Sequence, residues 1–178
     1  MKRSALLCLL LLISTTLFAQ RKDSVKNSIR LKVEAINKEK NYKTISLDQL
    51  QFMENGSDGG GSVTGYFKDN RLVKIVRWIG VSYGFFVDEF YLDKDKLIFV
   101  HDIENMFEYN DSTGEINYRA IVMGFDGRYW FNAGRKIDES SLGHNRFDGD
   151  EANAEKEFLA DVKKYIPLLY KKYKLGKK

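Results

Sequence analysis

Between Gly65 and Asn132 apolar and polar side chains alternate with a period of two, broken at intervals by short polar turn sequences. That alternation predicts half-buried strands rather than helices. Strands are expected near 63–68, 71–79, 84–92, 96–108, 115–125 and 128–133, with a further edge strand around 43–53. Asp69-Asn70 tolerates the positive φ that a tight hairpin requires. Tyr91 to Leu97 repeats the spacing of Tyr66 to Leu72, the copies starting 25 positions apart. Phe125-Asp126-Gly127-Arg128-Tyr129 reads as a short turn, and Asn110 to Glu115 as a looser one. Consecutive hairpins pair with their neighbours in sequence, so the stretch predicts an antiparallel meander of six to seven strands.

The pattern changes to helical spacing at both ends of the meander. Val25, Ile29, Val33 and Ile36 place an apolar stripe on a helix over Ser24 to Glu39, with Lys26, Arg30 and Glu34 turned to water. Phe158, Val162, Tyr165 and Leu169 do the same for a second helix from about Ala152 to Tyr165. Asp148 and Glu151 form a capping-box pattern before it. Pro167 lacks a backbone donor and predicts a kink or restart, followed by a frayed basic end over Lys171 to Lys178. Asn55 to Ser62 and Ser140 to Asp150 read as surface loops. The fold class is therefore α+β: a β-meander flanked by an N-terminal and a C-terminal helix.

The first 19 residues stand apart. Met1-Lys2-Arg3 is basic, Ala5 to Ile13 is apolar, and cleavage is expected after Ala19. This is the pattern of a signal peptide, which leaves residues 20–178 as a single domain. An exported protein, periplasmic or secreted, is the expectation. The only cysteine, Cys8, falls in the leader, so the mature chain has no disulfide or thiol chemistry. Removing Lys2 and Arg3 lowers the formal charge from +4 to +2. The basic composition thus gives no case for nucleic-acid binding. Membrane contact is expected only through the basic C-terminal end.

Candidate chemistry is sparse. Two histidines, His101 and His144, supply neither a zinc pattern nor an evident triad, so no metal or other cofactor is expected. Gly59-Gly60-Gly61 lacks the Lys-Ser or Lys-Thr of a phosphate loop. Arg77, Asp88, His101 and Arg119 each sit in a strand between apolar neighbours. If register brings them onto one face, they lie beside Trp78, Phe86 and Trp130. A concave sheet with aromatics and a few polar groups is a usual ligand site.

The leader ending in Phe18-Ala19-Gln20, together with the Tyr66-Phe67-Lys68-Asp69-Asn70-Arg71-Leu72 hairpin, resembles small exported β-meander proteins of Bacteroidota. The resemblance implies fold and export and carries over no site residue. The expected function is a non-enzymatic binding module for a small molecule, a glycan or an envelope protein. Its expected site is Trp78, Phe86, Trp130, Arg77, His101 and Arg119. A secreted hydrolase built on Arg77, Asp88, His101 and Arg119 is one alternative, and an envelope assembly accessory another.

Overall fold

The structure, a computed structural model, describes residues 21–147, 149 and 153–176. The leader, Cys8, Asp148, Asp150 and Glu151 lie outside the described residues. Helix α1 spans 21–38. Strands β1 (Lys43–Asp48), β2 (Gly61–Lys68), β3 (Arg71–Val81), β4 (Gly84–Asp93), β5 (Lys96–Asn110), β6 (Glu115–Asn132) and β7 (Arg135–Gly143) follow, and helix α2 (Ala154–Leu175) closes the chain. The strands form one seven-stranded antiparallel sheet in sequence order, the meander predicted from alternation.

The hairpin chemistry acts where expected. Asp69, Asn70, Lys94 and Asp95 all have positive φ, as a two-residue turn that follows the strand twist requires. A third turn of this kind falls at Ala133-Gly134 rather than near Asp126-Gly127. The expected break at Phe125–Tyr129 is absent: β6 runs straight through it, burying Phe125, Gly127 and Tyr129 and leaving Arg128 exposed. Gly127 is there for space, since a Cβ would come within 2.5 Å of the Phe125 ring. The residues after the true turn, including 140–143 of the expected loop, form the polar edge strand β7.

Alternation puts one helix on each face. Phe90, Val100 and Tyr129 are register partners, and they pack with Phe158, Val162, Tyr165 and Leu169 of α2. Their neighbours Tyr91, Phe99 and Trp130 are likewise partners on the opposite face, under Val25, Ile29 and Val33 of α1. The α2 side holds the larger core.

Helix α2 is longer than expected. It continues through Pro167 to Leu175 without a break. Pro167 and Lys163 both face solvent, so the carbonyl that loses its donor can turn to water. Tyr165, Leu169 and Tyr173, all buried, hold the helix down on either side of the proline. The described N-cap is Asn153, whose side chain accepts from Lys156 N at 3.0 Å. Asn153→Ala is expected to cost about 1 kcal/mol in urea denaturation, and an unchanged midpoint would show that the cap is idle.

The Gly-rich segment is also more ordered than a solvated connector. Gly59 N donates to Gly80 O at 3.2 Å, and Gly80 N donates to Gly60 O at 2.9 Å. The two backbones approach so closely that a Cβ on Gly59 would lie 2.4 Å from the Gly80 carbonyl carbon.

Candidate functional site

The most developed cleft lies between α1 and the sheet, with a volume of about 560 Å³. Tyr91, Phe99 and Trp130 contribute aromatic surface from β4, β5 and β6. Phe99 and Trp130 contact edge to face, with ring centroids 5.3 Å apart. Helix α1 supplies Lys26, Asn27, Arg30, Val33 and Asn37 as the opposing wall. Lys26 and Arg30, expected to face water, therefore edge the cleft. The i, i+4 spacing that aligns them arises from the same helix whose stripe packs on the sheet.

The sheet side carries a polar group of Glu89, His101 and Arg128. Glu89 pairs with His101 across β4 and β5, and His101 pairs with Arg128 across β5 and β6, so all three share a face. Lys74 Nζ donates to Glu89 Oε1 at 2.6 Å, and Tyr91 OH donates to Glu89 Oε2 at 2.7 Å. Burial pushes the Glu89 carboxyl up, but the nearby His101 ring and hydrogen bonds from Lys74 and Tyr91 outweigh it and bring it down to about 2. Glu89 is thus a fixed anion whose oxygens are engaged. His101 lies between carboxylates, with Nε2 3.1 Å from Asp126 Oδ1 and Nδ1 3.8 Å from Glu89 Oε2.

A second polar cluster lies on the other face, beneath α2. Arg77 Nε donates to Asp88 Oδ2 at 2.6 Å, and its Nη1 donates to Asp161 Oδ2 at 2.6 Å. Arg146, from the segment after β7, reaches Asp88 Oδ1 at 3.2 Å and Asp102 Oδ2 at 3.3 Å. Asp88 and Asp102 are opposite one another across β4 and β5, and both are fully buried. Burial first, and then the nearby Asp88 and Glu104 charges, raise the Asp102 carboxyl to about 8 against the pull of Arg146. The adjoining hollow, about 240 Å³, is bordered by Arg77, Phe86, Arg146 and Tyr165. Both arginines are already committed to carboxylates, so this cluster reads as a structural ion network.

The register therefore divides the expected site. Trp130 and His101 meet in the α1 cleft. Arg77 and Phe86 belong to the α2 face, Phe86 being opposite Ile79. Trp78 is on the α1 face, opposite Val87, but borders neither hollow; its ring lies 6.2 Å from Phe85. Arg119 is exposed on the outer part of β6, where three residues, 118–120, bulge out of register with β5. The four-residue constellation of Arg77, Asp88, His101 and Arg119 is not assembled: Asp88 is opposite Asp102, one position out of phase with His101. Among the described residues no group of three or more histidines, cysteines or acids is arranged to hold a metal.

Sequence reasoning missed Lys26, Arg30, Glu89, Tyr91, Phe99 and Arg128 as cleft residues. Phe99 was within reach, being two positions from His101 and so on its face. Glu89 and Arg128 required the pairing register. Compared with protein-family models, curated proteins and solved structures, the chain matches none.

Proposed function

We propose that the protein is a non-enzymatic ligand-binding module, acting outside the cytoplasm, whose site is the cleft between α1 and the sheet. The observation that carries this reading is the combination in one cleft of an aromatic surface with convergent polar groups from four elements. A non-enzymatic role is favoured because the carboxylate that lines the cleft is already engaged. Glu89 is held ionised by Lys74 and Tyr91. Export is supported only by the basic and apolar pattern of the first 19 residues.

The chain has two tryptophans, so Trp78→Phe leaves Trp130 as the sole indole reporter. In that background, a panel of small glycans, lipids and organic acids is titrated while indole emission and the thermal midpoint are followed. A ligand that shifts both, and no longer shifts the thermal midpoint with Trp130→Ala, supports the site. A panel in which nothing moves either signal removes the support for a binding module.

A second reading, docking of an envelope protein, has its own observation. Residues 105–124 form the outer part of the β5–β6 ribbon, and β7 pairs with β6 only from Phe125 onward. Tyr109, Tyr118, Ile121, Val122 and Met123 on that ribbon are all more than half exposed. Such a concentration of exposed apolar side chains is characteristic of contact surfaces.

A further inference from the structure

Resting on the cleft reading above, we infer that the ligand is a small oxyanion with a flat or ring-bearing apolar body. Its charged group would sit between Arg30 and Arg128, and its body would lie against Trp130 and Phe99.

The charge distribution carries the argument. Three cations line the cleft, Lys26 and Arg30 from α1 and Arg128 from β6, against a single carboxylate, Glu89. That carboxylate is already matched by Lys74 at 2.6 Å. The partners of the three cations lie outside the lining. Lys26 reaches Asp138 at 2.5 Å, Arg30 reaches Glu34 at 2.5 Å, and Arg128 reaches Asp126 at 2.8 Å. Arg30 and Arg128 are about half exposed, and ion pairs of that kind contribute little to stability. An incoming oxyanion can therefore share their guanidinium donors at small cost. A planar guanidinium offers a fork of N–H groups that matches carboxylate, sulfonate and phosphate alike.

The body of the ligand is set by the other surface. Lys26 Nζ lies over the Trp130 ring, 4.4 Å from its centre, so one face of the indole already carries a cation. The rest of the aromatic surface is apolar and suits a ring. The volume, about 560 Å³, is in the usual range for a small organic molecule. A cationic ligand would meet the three cations, and a neutral ring would gain no charge-assisted hydrogen bond from the two guanidiniums.

The test uses three ligands of one shape: 2-naphthoate, 2-naphthamide and 2-naphthylmethylammonium. Each is titrated calorimetrically into the mature protein at low and high salt. The expected order is naphthoate tighter than naphthamide by about tenfold or more, with the ammonium weakest, and the naphthoate advantage shrinking at high salt. Arg30→Gln/Arg128→Gln should abolish the advantage of naphthoate over naphthamide. Equal binding of acid and amide by the wild type would overturn the oxyanion inference and leave the cleft standing as a site. Binding of all three that survives Trp130→Ala would overturn the cleft reading itself. Failure of all three to bind overturns the inference, because the naphthoate is the ligand it specifies. Both arginines are exposed enough that the double variant should fold, and its circular dichroism and thermal midpoint report that it has.

Discussion

Arg77→Met is expected to lower the free energy of unfolding by about 3–5 kcal/mol, measured by urea denaturation at neutral pH. The Arg77 side chain is only 12% exposed, and its guanidinium joins Asp88 on β4 to Asp161 on α2, both at 2.6 Å. Burial works against its charge, but the Asp88 and Asp161 carboxylates more than compensate and hold it well above its ordinary range. Methionine fills similar space and removes the charge, leaving Asp88 fully buried with Arg146 as its remaining ion-pair partner at 3.2 Å. Desolvation of that carboxylate is then poorly compensated, which is why breaking a buried pair costs more than the pair contributes. Arg77→Met/Asp88→Asn should recover a substantial part of the loss, because the stranded charge is gone. A single variant that loses less than about 1 kcal/mol, or a double variant no more stable than the single one, would show that the network is not held together in this way.

This network also shows what the sequence could and could not disclose. Period-two alternation predicted the meander because one side of every strand faces a core, and Phe90, Tyr91, Phe99 and Val100 could only be buried if both faces were covered. Helical spacing likewise predicted Phe158, Val162, Tyr165 and Leu169 as the buried face of α2. Local rules failed where tertiary packing reassigned a residue. Asp126-Gly127 has the composition of a tight turn, yet Asp126 pairs with His101 and Gly127 makes room for the Phe125 ring. β7 was hidden by its polarity, which is what an edge strand requires. The site was only half legible for a related reason. Side-chain parity within a strand says which residues share a face, but not which faces match across strands. A one-residue offset put Asp88 with Asp102 and His101 with Glu89, so the expected charged face became two sites on opposite sides of the sheet. Arg146 gave no signal at all, because it reaches the cluster from a segment with no periodicity.

The wild-type protein is expected to be most stable a little above pH 4 and to lose stability steadily toward pH 8, an unusual limb for a chain with so many ion pairs. Asp102 is the cause. An unfolded aspartate titrates near about 3.9. In the folded chain, burial first and the adjacent carboxylates second raise Asp102 to about 8. Between those values the native state keeps a proton that the unfolded state has released. Stability therefore falls as pH rises, with a limiting slope of about 1.4 kcal/mol per pH unit for one proton. The contribution is complete below about pH 4 and gone once pH has passed through the folded value. Burial also raises Glu104 and Asp161, which act in the same direction. Glu89 acts in the opposite sense. Its folded value of about 2 lies below the ordinary 4.5, so the stability it brings is present above 4.5 and lost as pH falls toward 2. The two limbs cross on the mildly acidic side, which places the maximum. Asp102→Asn keeps the shape, stays neutral at every pH, and should flatten the decline between pH 5 and 8 without steepening the acid limb. Glu89→Gln should do the reverse. Urea midpoints across pH 3 to 9 for the three proteins decide the matter. A wild-type curve that is flat from pH 5 to 8, or an Asp102→Asn curve parallel to it, would mean that Asp102 is ionised at neutral pH and that Arg146 balances it.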